Sequence, residues 1–129
     1  MMTSCKILHW VEYLLEAELP CVAAAFKVSG VPPSQFCQLW FGQCFLNFLD
    51  FKEILIFITG SVTMGADFQV YVAVSLFKHA REKILGQSQN GDLLQFMRHG
   101  PFEGYSFTGS VEVLQHLRGK YRHLISTDL

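Results

Sequence analysis

The stretch Val28–Leu85 constrains the fold more than any other part of the chain. A Gly30-Val31-Pro32-Pro33 turn precedes an apolar segment carrying Leu39-Trp40-Phe41. A second apolar segment breaks at Gly65, and a third ends in Lys78, Arg81 and Lys83. The residue before a proline is pushed out of the helical region, so the turn separates two elements. Ser34 or Pro33 opens the next helix, with a buried stripe of Phe36, Leu39, Trp40, Cys44 and Phe45 and its end at Asn47. Asp50 then reads as an N-cap, and Glu53 three residues on completes a capping-box pattern. The helix that follows is apolar on nearly every side (Ile54, Leu55, Ile56, Phe57, Ile58), which assigns it a central place. Expected core residues are therefore Leu39, Trp40, Phe41, Ile54 and Phe57.

The run Gly60-Ser61-Val62-Thr63-Met64-Gly65 reads as the turn between two helices; without a Gly-Lys-Ser/Thr it is no phosphate loop. Asp67 caps the longest segment, Phe68–Leu85, where the pattern pulls two ways. Phe68, Val70, Val72, Val74 and Leu76 alternate as in a strand, and valine favours strands. Tyr71, Ala73 and Phe77 are apolar as well. The length, the Asp67 cap, the basic residues near the end and Gly86 beyond it decide for a helix.

The flanks are also helical. Ser4–Leu19, with Ser4 as N-cap, sets Ile7, Leu8, Val11, Leu14 and Leu15 on one face and turns Glu12, Glu16 and Glu18 to water. Pro20 ends this helix or opens the next, and Gly30 stops the short segment Cys21–Val28. Beyond a polar turn at Gln87–Gly91 come a short helix, Asp92–Arg98, closed by His99-Gly100-Pro101, and a loop, Gly104–Gly109. The final helix, Ser110–Ile125, places Val111, Leu114, Leu117, Tyr121 and Leu124 on one face. The sum is an all-α fold of six or seven helices in a single unit, residues 1–129, with no internal repeat.

Composition narrows the functions. In a chain of 129 residues, half are hydrophobic and 12 are Phe. That is ample for a core and rich for a small free-standing domain, so a protein partner or the rest of the same domain is expected to cover apolar surface. A net charge of -1 gives no concentrated basic surface for nucleic acid. The four cysteines, Cys5, Cys21, Cys37 and Cys44, lie within helical patterns. The start of the chain carries Glu12 inside its apolar stretch and no small-residue cleavage site, so a reduced, cytoplasmic protein is expected. The longest uncharged apolar run, Ile54–Ala66, is shorter than the roughly 20 residues of a membrane span.

The order of parts over residues 28–85 resembles the C-terminal half of a TBC domain, the all-helical module of Rab GTPase-activating proteins. The resemblance is carried by Trp40-Phe41, the Pro32-Pro33 turn before it, and Gly65 leading into the long segment. It implies a C-terminal lobe of that fold, a role in Rab regulation and membrane traffic, and a protein partner, either a small GTPase or a larger helical protein. Where family members carry a Trp-Asp pair, this chain has Ile58-Thr59. Both catalytic motifs of the family are absent. For Ile-x-x-Asp-x-x-Arg, the residues three beyond Asp50, Asp67 and Asp92 are Glu53, Val70 and Gln95, and Asp128 is too near the end. For Tyr-x-Gln, the residues two beyond Tyr13, Tyr71, Tyr105 and Tyr121 are Leu15, Ala73, Phe107 and His123. The resemblance thus implies a divergent, pseudo-catalytic scaffold, not an enzyme, of the kind carried at the C-terminus of a large ciliary protein. Two alternatives stand beside it: a fragment of an active Rab GTPase-activating protein whose fingers lie on other sequence, and an unrelated helical adaptor.

No other chemistry outranks these readings. Cys5 and His9 share a helical face as a two-ligand clamp, but Cys37 and Cys44 lack zinc spacing, so neither metal nor cofactor is expected. His79, His99, His116 and His123 read as surface or capping residues. Arg118, Lys120 and Arg122, flanked by His123, form a possible partner surface for acidic groups, or more plainly complement the dipole of the last helix.

Overall fold

The computed structural model describes residues 5–46, 48–89, 91–99 and 102–129. It contains α1 (Cys5–Glu18), α2 (Pro20–Ser29), α3 (Pro33–Gly42), α4 (Phe51–Thr63), α5 (Phe68–His79), α6 (Arg81–Gln89), α7 (Leu93–Arg98) and, after a 3-10 turn at Thr108–Ser110, α8 (Val111–Ile125). The described residues form no strand, so the fold is all-α. Pro20 and Pro33 each open a helix, where the missing N–H costs nothing. Gly30 ends α2 in the left-handed conformation, φ 75°. The readings at Ser4, Asn47, Gly100 and Pro101 lie outside the described residues. No helix among the described residues is long and apolar enough to cross a membrane.

The count of eight arises in the long segment. It is two helices rather than one, because Ala80 leaves helical geometry (φ -91°, ψ 4°) while its N–H still bonds Leu76 O. The bend redirects α6 onto α2 and α7 and buries Ile84 between them. Gly86 then sits inside α6 instead of ending it.

The central helix is α5, not α4. Every residue from Phe68 to Phe77 is buried, and α5 packs against α1, α4, α6 and α8. A helix surrounded on all sides is apolar on all sides; its strand-like valine alternation is a by-product of burying both faces. α4, expected at the centre, lies at the periphery with α5 as its main neighbour. It buries Glu53, Ile54 and Phe57 and exposes Phe51, Leu55 and Val62. Apolarity all round therefore marks two different things here: a core position in α5 and an uncovered surface in α4.

Trp40 is fully buried among rings. Centroids of Phe102, Phe77, Phe36 and Phe45 lie 4.6, 5.4, 6.2 and 6.3 Å from its own. Phe41 stacks on Phe57 at 5.7 Å, and Phe45 meets Phe57 edge-on at 4.8 Å. α3 buries Phe36, Cys37, Trp40 and Phe41, an arc that turns Leu39 outward; Leu39 is 39% exposed and does not belong to the core. After α3 the chain reverses through Cys44 and Phe45, both left-handed (φ 50° and 61°). Such conformations cost side-chain-bearing residues of order 1–3 kcal/mol each; the fully buried Phe45 ring and the Phe45 N–H bond to Trp40 O at 2.8 Å offset this.

The capping box does not form. Asp50 makes no side-chain cap, and Glu53, buried, accepts the Phe107 N–H at 2.9 Å instead. A sequence pattern for local capping has become a long-range tie between α4 and the loop before α8.

α8 is anchored to α1 through Glu18. Its carboxylate accepts from Lys120 Nζ at 2.8 Å and Tyr121 Oη at 2.7 Å, with His116 Nε2 at 3.5 Å. The Lys120 hydrogen bond outweighs partial burial, and Glu18 stays below the usual carboxylate range. A group with a lowered folded-state pKa contributes stability that is present above its unfolded pKa and lost as pH falls through the folded one. We expect urea midpoints to decline on acidification through that window in the parent chain and less steeply in Glu18→Gln. Parallel acid limbs in the two proteins would show that the pair adds nothing.

Candidate functional site

A groove runs along α8. One flank is α8 itself; the other is the outer face of α4 and the start of α5. At the α8 N-terminus, Leu55, Ile56, Met64, Phe68, Val111 and Leu114 line an open apolar trough of about 520 Å³. Met64, Phe68, Val111 and Leu114 continue into a narrower part of about 220 Å³ that reaches Tyr71, Gln115 and Arg118. Gln115 and Arg118 in turn border a final, shallow part of about 640 Å³ with Arg122, His123 and Ser126. The shared residues make one continuous channel, apolar at one end and cationic at the other.

Its floor is fixed by Asp67 and Tyr71. Asp67 is buried just ahead of α5, and Tyr71 Oη donates to its Oδ2 at 2.7 Å. Burial, with that bond and the Asp67 charge, pushes the Tyr71 hydroxyl well above its ordinary range, so it is a permanent donor. Gly65 (φ 100°) lets the chain turn here. A Cβ at that position would sit 3.0 Å from Asp67 Oδ1 and 4.0 Å from Arg122 Nη2, which places the Arg122 guanidinium over the turn. Asp67 Oδ1 and the Arg122 guanidinium thus meet the same side of the turn, while Asp67 Oδ2 accepts from Tyr71.

The cluster Arg118, Lys120, Arg122 is divided by the helix. Arg118 and Arg122, one turn apart, line the groove, and neither has an ion pair among the described residues. Lys120 points to the opposite flank, where Glu18 holds it. The core side of α8 is Leu117, Tyr121 and Ile125; Leu124, expected there, is 43% exposed. Of the residues expected in the core, Trp40, Phe41, Ile54 and Phe57 are buried, and Ile54 and Phe57 share α4 with the groove-lining Leu55 and Ile56. Sequence reasoning missed Met64, Phe68, Tyr71 and Asp67 as site residues. The one available signal was the Asp67/Tyr71 pair at i, i+4, a spacing at which side chains meet on one face.

Among the described residues, the Thr63 and Ser126 hydroxyls that line the groove donate to the backbone carbonyls of Thr59 and Arg122 rather than to a base. Among the described residues no group of three or more His, Cys, Asp or Glu gathers as a metal site. Burial pushes the Cys37 thiol far up, which makes it inert. His79 Nε2 contacts the Glu103 carbonyl oxygen, and His99 Nε2 contacts Gln95 Nε2. The arrangement is suited to binding a chain segment.

The family model described as the Rab TBC domain of broad-minded protein matches residues 2–129. Protein broad-minded of Danio rerio is 42% identical over 121 residues, covering 94% of this chain and 9% of the relative. Protein broad-minded of Mus musculus is 39% identical over 121 residues, with the same coverage of 94% and 9%. The chain thus spans about a tenth of the length of these relatives. No solved structure matches. An all-helical fold, a family model running almost end to end and relatives of this identity agree: the chain belongs to the family of broad-minded Rab TBC domains.

Proposed function

We propose that the chain is a non-catalytic, TBC-related interaction module that serves Rab regulation and membrane or ciliary traffic by holding a protein partner, a small GTPase or a larger helical protein, in the cytoplasm or at the cilium. In this reading residues 1–129 are one helical unit and part of a larger TBC domain. The observation that carries it is the pairing of a TBC family match over residues 2–129 with the absence of both Ile-x-x-Asp-x-x-Arg and Tyr-x-Gln from the sequence. An arginine finger contributes a factor of about 10³ to 10⁵ in GTP hydrolysis. Arg81 is engaged with Glu82, and Arg118 and Arg122 flank an apolar channel. The uncovered apolar face of α4 supports a partner. Single-turnover hydrolysis across a Rab panel is expected to be unchanged by the chain. Stimulation of about a hundredfold that depends on one of its arginines would refute the reading.

A second reading has one observation in its favour: the chain spans 9% of its relatives' length, so fingers carried elsewhere in the longer protein would restore activity. The same assay on the long form, beside the chain alone, separates the two.

A further inference from the structure

We propose that the groove between α4 and α8 is the docking site for an acidic amphipathic helix of a partner protein, its apolar stripe lying in the trough and its carboxylates meeting Arg118 and Arg122. This rests on the reading of the chain as an interaction module and names the chemistry of what it holds. Three observations converge on one occupant.

The first is length. α8 spans Val111 to Ile125, and the groove follows it from Val111 to Ser126. At 1.5 Å per residue this is about 22 Å, room for about four turns of helix. The second is the order of chemistry along it. Leu55 and Val111 are 48% and 43% exposed at one end, a step with little polar character. At the other end are a histidine and two guanidinium groups that form no ion pair among the described residues; Asp67, at the turn that Arg122 overhangs, accepts from Tyr71 through Oδ2. A helix with apolar residues at i, i+3, i+4 and i+7 followed by acidic residues on the same face complements both ends. Its carboxylates gain two forked donors, the geometry arginine offers to carboxylate oxygens.

The third observation excludes a second copy of this chain as the occupant. α1 carries the exposed carboxylates Glu12 and Glu16, but its apolar residues Ile7, Val11, Leu14 and Leu15 are already buried. Glu82 of α6 is paired with Arg81, and Glu112 lies on α8, whose groove side carries Arg118 and Arg122. α4 has an exposed apolar face, but its acidic residue Glu53 is buried and bonded to Phe107. None of the described helices offers an uncovered apolar stripe followed by free carboxylates on the same face.

The test uses a fluorescein-labelled helical peptide with leucines at i, i+3, i+4 and i+7 in its first two turns and glutamates on the same face in its last two. A control peptide carries lysines for the glutamates. Anisotropy titrations with the whole chain are expected to show binding of the acidic peptide alone, weakened by salt. Arg118→Glu with Arg122→Glu is expected to weaken it by about tenfold or more, as two exposed attractions become repulsions. Arg122 is exposed and Arg118 half-buried at the groove edge, and neither belongs to the core side of α8, so helical circular dichroism of the double variant is expected to be unchanged. Leu55→Lys, at the apolar end, supplies an independent loss should the double variant misfold. Equal binding of the lysine peptide overturns the proposal, as does an unchanged dissociation constant in the double variant. So does a dimer in sedimentation that Val111→Glu dissolves, or binding to phosphatidylserine vesicles through Arg118 and Arg122 with no peptide binding. None of these outcomes bears on GTP hydrolysis, so this proposal and the non-catalytic reading fail separately.

Discussion

Trp40→Ala is expected to leave the chain largely unfolded under conditions where the parent is folded. Trp40 is fully buried, and its ring joins three parts of the structure: Phe36 and Phe45 next to it in sequence, Phe77 of the central helix, and Phe102 in the loop after α7. Truncating a buried aromatic costs about 3 to 5 kcal/mol, out of a total stability of about 5 to 15 kcal/mol. Because Phe45 sits in a strained backbone conformation that its packing offsets, removal of its neighbour also weakens the turn at Cys44–Phe45. Trp40→Phe makes the comparison sharp. The indole Nε1 has no hydrogen-bond partner among the described residues, so phenylalanine discards an unsatisfied buried donor together with some ring area, and its loss is expected to be well below that of alanine. Urea unfolding followed by helical circular dichroism reads both. An alanine variant with the parent's midpoint would mean that the aromatic cluster is not what holds α3 to α5.

The all-α class was legible because the chain punctuates itself. Pro20, Gly30 and Pro33 mark helix ends by backbone chemistry that acts locally, and each acts where the sequence places it. What sequence reasoning missed depends on contacts distant in the chain. Glu53 reads as a capping-box residue until Phe107 arrives from another element and takes its carboxylate. Ala80 carries no turn signal; the bend there is set by the packing of α6 on α2 and α7. α4 and α5 illustrate the limit of composition most clearly. Both are apolar all round, and periodicity cannot distinguish a helix buried by its neighbours from one that leaves an apolar face uncovered.

The candidate site was half legible for the same reason. Arg118 and Arg122 at i, i+4 announce a cationic face of α8 in the sequence. That Lys120 belongs to the other flank follows from the helical period but becomes decisive only with Glu18 in place. The apolar end of the groove was hidden within residues that look like core: Met64, Phe68, Val111 and Leu114 have the composition of an interior and line a surface.

Gly60 supplies the second large effect. The sequence assigns it to a turn, yet it lies within α4, where it faces the Phe68 ring. A Cβ there would come within 2.5 Å of Phe68 Cε2 and Cζ and 3.0 Å of Cε1. Phe57 and Phe107, with centroids each 6.4 Å away, flank the ring, so it can yield only toward the open trough it lines. In Gly60→Ala, the helix-propensity gain of up to about 1 kcal/mol opposes an overpacking cost of about 1 to 3 kcal/mol, and the net change is a modest loss. Gly60→Leu keeps a similar propensity gain and forces a branched side chain into the same contact, so destabilisation at or above the upper end of that range is expected. Gly86→Ala is the matched control: Gly86 is also helical, a Cβ there meets nothing within 4 Å, and the substitution is expected to stabilise by about 0.4 to 1 kcal/mol. Gly60 and Phe68 also line the apolar trough, so Gly60→Leu should reduce acidic-peptide binding in molecules that remain folded, whereas Gly86→Ala should leave it intact. Equal urea midpoints for Gly60→Leu and the parent would show that α4 does not pack on Phe68 as described, and the groove wall would have to be redrawn.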